Sequence, residues 1–409
     1  MSVQPVLAAP LVSADASPIH LAIVSETYPP EINGVANTMR YLAEGLARRG
    51  HRVHLVRPRQ PCDQGGTASA PIELHLVPGL PIPGYRGLRF GLPVYWRLRR
   101  LWHRTRPQLV YIATQGPLGH AALSAARALR IPAITGFHTQ FHQYSRHYGL
   151  GLLTQPIVES LRHFHNRSAA TLVPTPDLQA ELTAAGFLNV GVFGRGVDIV
   201  RFSPDWRDAE LRRSWGCDAQ TPVVLYVGRI AAEKNLDLAR AAFQSILEVR
   251  PDARFVLVGD GPELAALRRD FPAFVCPGAK VGAELSAHYA SGDLFLFPSL
   301  TETFGNVVTE AMASGLPVIA FDYAAAHAHI RSWENGVTLP VGDDDGFCAA
   351  SRELVSDPPR LRRMGESARA TAEGISWDKV LGGFEERLRA VIRRAGATEA
   401  SHAGMAETR

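Results

Sequence analysis

The chain has 409 residues, 46% of them hydrophobic and 20% charged. That is an ordinary globular composition, with enough apolar material for two domains. Its four cysteines, Cys62, Cys217, Cys276 and Cys348, have neither metal-ligand spacing nor a paired framework, which excludes a zinc ribbon or a disulfide scaffold. The formal net charge of +4 is unevenly spread: residues 1–196 carry 19 Arg, no Lys and 9 acids, giving +10, and the remainder carries −6. The first half therefore suits something anionic, whether membrane surface, nucleic acid or phosphorylated substrate.

Residues 1–18 contain no Lys or Arg and are interrupted by Pro5, Pro10 and Pro18, so they read as a loose leader rather than a secretory signal. No apolar run approaches the roughly 20 residues needed to cross a bilayer as a helix. The first predicted strand, 19–25, leads into Glu26-Thr27-Tyr28-Pro29-Pro30-Glu31-Ile32-Asn33-Gly34. A helix follows, with Val35, Met39, Leu42 and Leu46 on one face, ending at Gly50 before a second strand at 51–56. This is the strand-loop-helix-strand unit of a doubly wound fold. Gly34 at the helix start would let backbone approach a phosphate, although turns use glycine anyway.

Residues 80–106 hold no acid and interleave Arg86, Arg89, Arg97, Arg99, Arg100, Arg104 and Arg106 with Tyr85, Phe90, Tyr95, Trp96 and Trp102. From Pro93 the spacing gives an amphipathic helix with Val94, Leu98, Leu101 and Trp102 on one side. Such a helix suits an anionic membrane interface, and equally a surface helix packed on its own domain. No nucleic-acid motif accompanies the charge, so no nucleic-acid partner is expected. Strands are predicted at 109–113 and 133–137. His138 follows the second, in position to touch a substrate or to serve as a structural histidine. His138 and His142 are four apart, but no third ligand is placed by the sequence, so no metal site is expected there.

The predicted strand at 190–193 closes the first half, and 194–220 reads as a linker. The pattern then restarts with a strand at 223–227, a loop containing Gly228, Arg229 and Lys234, and a helix over 236–249. Arg229 and Lys234 straddle a strand-to-helix turn, where two cations and a helix N-terminus can hold a diphosphate; two unrelated surface cations would look the same. Phe255-Val256-Leu257-Val258-Gly259-Asp260-Gly261-Pro262 lacks the full G-x-G-x-x-G spacing of a nicotinamide-dinucleotide site. A strand at 294–297 precedes Glu302-Thr303-Phe304-Gly305-Asn306, then a helix carrying Glu310 that Gly315 and Pro317 stop. Either carboxylate, taken alone, could simply face water.

Taken together and in this order, these segments resemble the retaining glycosyltransferases of family 4. The resemblance covers nearly the whole chain. It implies an α/β GT-B architecture, two Rossmann-like doubly wound domains facing across a cleft. The expected division is a leader 1–18, an acceptor-side domain 19–196, a nucleotide-sugar domain 197–375, a helix 376–394 crossing back from about Trp377, and a disordered tail 395–409.

The resemblance also assigns roles. Arg229 and Lys234 would bind the donor diphosphate and stabilise the leaving nucleotide without a metal or other cofactor. Glu302 would hold a donor-sugar hydroxyl with the backbone of Phe304, Gly305 and Asn306, and Glu310 would take the ribose hydroxyls. Gly34 would offer its amide to the diphosphate, and His138 would lie beside the reacting sugar. Asn33-Gly34, where many relatives have Gly-Gly, and Thr303, at a position often held by glycine, depart from the pattern. Residues 278–281 are expected in the base-recognition region.

Within the family, Glu26-Thr27-Tyr28-Pro29-Pro30 with Asn33-Gly34-Val35, and Tyr144-Ser145-Arg146-His147-Tyr148, look nearest to GDP-mannose-dependent α-mannosyltransferases acting on lipid acceptors. The partners implied are a nucleotide sugar, a lipid or glycan acceptor, and an anionic membrane met through Trp96, Arg97, Arg99, Arg100 and Trp102. The expected location is cytoplasmic, peripheral on the inner face of the membrane. A UDP-glucose or UDP-glucuronate transferase to diacylglycerol is the alternative, followed by a nucleotide-sugar epimerase or a binding protein without catalysis on the same fold.

Overall fold

The computed structural model describes residues 17–31, 33–61, 63, 71–82, 89–138, 154–300, 302 and 304–406, with side chains to residue 397. The first sixteen residues, Tyr85 and Arg86, the stretch 139–153 with His142 and the Tyr144–Tyr148 run, Thr303 and residues 407–409 lie outside the described residues. The chain forms two compact units that divide at Gly194, with residues 175–177 belonging to the second unit and residues from 381 onward to the first.

The first unit is built on β1 (His20–Val24), β2 (Arg52–Pro58), β3 (Ile72–Val77), a short antiparallel pair β4 (Gly79–Pro81) and β5 (Arg89–Gly91), then β6 (Leu109–Ile112), β7 (Ala133–Gly136), β8 (Ala170–Val173) and β9 (Val190–Val192). Seven of these make one sheet in the order β3-β2-β1-β6-β7-β8-β9, parallel throughout. Continuous apolar runs such as Leu109-Val110-Tyr111-Ile112, buried along their whole length, are what a parallel sheet covered on both faces requires. The helices are α1 (Gly34–Arg48), α2 (Tyr95–Thr105), α3 (Pro117–Ala128), α4 (Thr154–Asn166) and α5 (Pro176–Ala184). Asn33 caps α1, its side-chain oxygen accepting from the Ala36 N–H at 2.8 Å, so a residue that departs from the family pattern has a local function.

The second unit repeats the plan with β10 (Val223–Val227), β11 (Arg254–Val258), β12 (Val275–Gly278), β13 (Leu294–Phe297), β14 (Val318–Phe321) and β15 (Gly336–Leu339), in the order β12-β11-β10-β13-β14-β15, again all parallel. Its helices are α6 (Ala209–Ser214), α7 (Leu236–Leu247), α8 (Leu264–Asp270), α9 (Gly282–Ala290), α10 (Asn306–Ala313), α11 (Ala324–His329), α12 (Asp344–Ser356) and α13 (Pro358–Gly374). Two apolar clusters, one on each face of the sheet, hold them.

Two expectations need correction. Residues 194–220 are not a linker: Phe202, Trp215 and Cys217 are buried in the second unit's core. Arg212, also buried, donates to the carbonyls of Ser291, Asp218 and Thr221 and to Asp293. Their spacing follows no period of 2 or 3.6, which is why pattern reading passed over them. The chain end does not lose structure at 395 either. The last helix, α14, runs Trp377–Ala406, and Leu381 and Phe384 are buried in the first unit, with Phe384 edge-on to Tyr111 and against Phe193. A polar, small-residue composition lowers the drive to fold but does not forbid a helix that its preceding turns already anchor.

Candidate active site

In an open parallel sheet, ligands bind beyond the carboxyl ends of the strands where the strand order reverses. In the second unit that point lies between β10 and β13, and the loops after these two strands carry the residues singled out above. After β10, a single 3-10 turn, Ala232–Lys234, and Asn235 in the left-handed conformation (φ 53°) lead into α7. This turn presents Lys234. After β13, Ser299 and Glu302 precede Gly305, whose φ of 87° is a conformation glycine adopts without a Cβ penalty. Gly305 opens α10.

The two loops meet. Lys234 Nζ lies 2.5 Å from Glu302 Oε1 with both side chains largely buried, and Ser299 Oγ donates to the same oxygen at 3.0 Å. Tyr323 OH donates to the Ser299 carbonyl at 2.6 Å and fixes that loop from beneath. The Tyr323 and Tyr226 hydroxyls are both held far above the usual phenol range, first by burial and then by the Glu302 charge. They remain neutral donors at any ordinary pH.

Arg229 is exposed, at the mouth of the same loop, and pairs with Glu233 at 3.1 Å. Its carbonyl accepts from Tyr226 OH at 2.9 Å, which anchors the backbone. Close approach of the neighbouring loop depends on Gly259: a Cβ there would stand 1.8 Å from the Gly228 carbonyl oxygen, at a φ of 156°.

Phe304, in the loop just before α10, is buried, and Asn306, the helix's first residue, is half-buried. Glu310, one turn further along, accepts from Tyr289 OH at 2.9 Å. Burial raises the Glu310 carboxyl above its ordinary range, against the opposing effects of that hydrogen bond and of Arg201. A carboxylate that has lost water is a stronger hydrogen-bond acceptor.

Arg195 was missed by the sequence reading. It is buried, its Nη1 lies 3.3 Å from Asn306 Oδ1, and its guanidinium stands 5.5 Å from the Phe304 ring centroid. A buried cation at the start of α10 adds to the helix's own preference for an anion. Nothing in Gly194-Arg195-Gly196 distinguishes it from a turn.

In the first unit the strand order reverses between β1 and β6. There Glu26, just past β1, accepts from the Leu118 N–H at the start of α3 at 2.9 Å, and its own N–H donates to Thr114 Oγ1 at 3.0 Å. Burial pushes the Glu26 carboxyl up to about 7 against the backbone hydrogen bonds from Leu118 and Gly119. Beside it an open concavity of about 640 Å³ is lined by Tyr95, Gln115, Pro117 and His120 among others. The Glu26–Gly34 loop is tied within itself, where Thr27 Oγ1 donates to Glu31 and Asn33 Nδ2 to Thr27, and to the segment after β2, where Gln60 Nε2 donates to Glu31. Gly34, exposed, is the first residue of α1, so its N–H has no intrahelical acceptor.

His138, two residues past the end of β7, is buried, with Nε2 3.2 Å from Tyr111 OH. On α2, Trp96 is 72% exposed, and Arg97, Arg99 and Arg100 also face solvent. Trp102 does not: it is fully buried with Leu98 among Leu118, Ala122 and Ala125. The apolar side of α2 packs on its own unit and cannot enter a membrane, so Trp102 is corrected from a surface contact to a core residue. Among the described residues no helix is long and apolar enough to cross a membrane.

Known proteins share this arrangement. The family described as Glycosyltransferase Family 4 matches residues 32–201, and that described as Glycosyl transferases group 1 matches residues 221–357. A GDP-mannose-dependent alpha-mannosyltransferase of Mycolicibacterium smegmatis is 34% identical over 377 residues, 90% of this chain and 98% of the relative. Sulfoquinovosyl transferase SQD2 of Arabidopsis thaliana is 33% identical over 73% of this chain and 59% of its own length. Among solved structures, sucrose-phosphate synthase from Thermosynechococcus elongatus superposes with a TM-score of 0.75 at 19% identity, covering 91% of this chain and 99% of that one. Two parallel-sheet Rossmann-like units with cation- and carboxylate-bearing loops at the carboxyl ends of the strands are the GT-B plan, and with similarity along nearly its whole length this chain belongs to glycosyltransferase family 4 and is a nucleotide-sugar-dependent glycosyltransferase.

Proposed function

We propose that the protein is a retaining, metal-independent α-mannosyltransferase that moves mannose from GDP-mannose to a lipid or glycan acceptor at a membrane surface. The observation that carries the donor is the 34% identity, across 98% of its length, to a GDP-mannose-dependent alpha-mannosyltransferase. The geometry that supports the chemistry is the junction of the β10 and β13 loops. Lys234 and Arg229 bring two cations to one turn, enough to offset the charge that develops on a departing diphosphate without a metal ion. Glu302, oriented by Lys234 and Ser299, accepts from hydroxyls of the donor sugar, and the backbone from Phe304 to Asn306 lies beside it. Glu310 takes the ribose hydroxyls.

The resemblance gives Gly34 an amide contact to the diphosphate and His138 a place at the reacting sugar, and both belong to this proposal. In the reaction, the bond from the sugar C1 to the phosphate oxygen breaks with its electron pair going to GDP. The acceptor oxygen bonds to C1 on the same face, and the acceptor proton passes to the departing phosphate. The exposed Trp96, Arg97, Arg99 and Arg100 give α2 a basic, amphipathic outer face suited to an anionic inner-leaflet surface on the cytoplasmic side.

A panel of GDP, UDP and ADP binding to the pure protein tests the donor, followed by transfer of labelled mannose to extracted lipid in the presence of EDTA. GDP is expected to bind most tightly, with transfer unaffected by the chelator. Preference for UDP would replace this reading with a second one, transfer of glucose or glucuronate to diacylglycerol, which the 28% identity to an alpha-monoglucosyldiacylglycerol synthase of Acholeplasma laidlawii favours. Isomerised donor without transfer would point to an epimerase.

A further inference from the structure

The outer strands of the first sheet carry a group of side chains that glycosyl transfer does not use. The β2–β3 register sets His54 beside Glu73 and Val56 beside His75. Alternation along the strands therefore puts His54, Glu73 and His75 on one face. His54 is fully buried, His75 half-buried and Glu73 exposed.

His54 Nδ1 lies 2.9 Å from His75 Nε2 and 3.3 Å from Glu73 Oε2, and the three ligand atoms fall within 4.8 Å of one another. Four ligands at about 2.0–2.1 Å from a tetrahedral zinc ion stand about 3.3 Å apart, so two of these separations already lie within a few tenths of an ångström of coordination. Arg52 donates to Glu73 through Nε at 3.1 Å and Nη2 at 2.8 Å, both to Oε1. That leaves Oε2 towards His54, which is how an outer partner orients a ligating carboxylate.

We propose that His54, His75 and Glu73 form a binding site for a divalent transition-metal ion of the zinc type, with a fourth position open to water. Two imidazoles and one carboxylate select zinc, cobalt, nickel or copper over magnesium or calcium, which take oxygen ligands. Arg52 beside Glu73, and Arg97 and Arg104 near His75, oppose the ion's charge. Affinity is therefore below that of a closed structural zinc site. The ion would tie β2 to β3 at the outer edge of the first sheet. Sequence spacing hides the set, because His54 and His75 are 21 residues apart on separate strands.

Titrating the untagged full-length protein with Co2+, followed by the visible absorption of four-coordinate cobalt and by displacement with Zn2+, tests the site. One equivalent is expected to saturate, with Mg2+ failing to compete. Glu73→Gln and His75→Gln, both outside the fully buried core and checked for an unchanged circular dichroism spectrum, should each weaken binding by about tenfold or more. Absence of a saturable, zinc-displaceable cobalt signal would overturn the proposal, and so would wild-type affinity in both variants.

Discussion

At the scale of single residues, two carboxylates with opposite surroundings govern what can be measured. Glu302 sits against Lys234 and Ser299, so Glu302→Gln keeps the shape and removes the charge. A charged hydrogen bond contributes about 1.5–3 kcal/mol, which corresponds to a loss of roughly 10–100-fold in turnover. Steady-state transfer rates check this, and wild-type turnover in the variant would remove Glu302 from the site. Glu26 is the reverse case, its carboxyl pushed up to about 7 by burial. Between its ordinary value and 7 the folded protein keeps a proton that the unfolded chain has lost. Its contribution is thus fully present in acid and declines as pH rises through 7, by at most about 1.4 kcal/mol per pH unit. Urea midpoints at pH 5 and 8 should differ less in Glu26→Gln than in the wild type. An equal difference in both proteins would show that Glu26 is not the group responsible.

At the scale of elements, α2 separates two functions that the sequence had merged. Its inner side is core: Trp102→Ala should cost about 3–5 kcal/mol, as deletion of a buried aromatic does, and should lower the melting temperature. Its outer side carries Trp96, Arg97, Arg99 and Arg100. Replacing the three arginines with glutamine should leave stability nearly unchanged and weaken binding to anionic vesicles by about 1 kcal/mol per charge. Sedimentation with neutral and with anionic vesicles reads this directly, and equal binding to both would refute the interface. The 3.6-residue period showed that α2 has an apolar side; whether that side meets lipid or Leu118, Ala122 and Ala125 is decided by residues at least 16 positions away.

At the scale of the whole molecule, the chain's last helix completes the first unit. Phe384 is fully buried against Tyr111 and Phe193. Glu385, held below its ordinary carboxyl range by hydrogen bonds from Arg389 and His51 despite burial, joins the same unit. Phe384→Ala should therefore destabilise the first unit by about 3–5 kcal/mol, and a chain ending at residue 380 should lose cooperative unfolding of that unit in calorimetry. An unchanged first transition in both would mean that the helix is only an appendage.

The sequence by itself determined the alternation of strand and helix, the parallel sheets and the order of the loops, because apolar runs bounded by glycine and proline report a buried parallel strand locally. The position of Lys234 and Glu302 at strand ends was legible for the same reason. Tertiary structure decided what those side chains touch: the Lys234–Glu302 pair, Ser299 and Tyr323 beneath it, Tyr289 on Glu310 and Arg195 at the start of α10. It also decided that residues 194–220 are packed rather than free, that α2 turns Trp102 inward, and that His54 and His75 share one face. These are contacts between residues far apart in the chain, and they follow from strand order and register. A period in the sequence records which side of an element is apolar, but not which partner covers it.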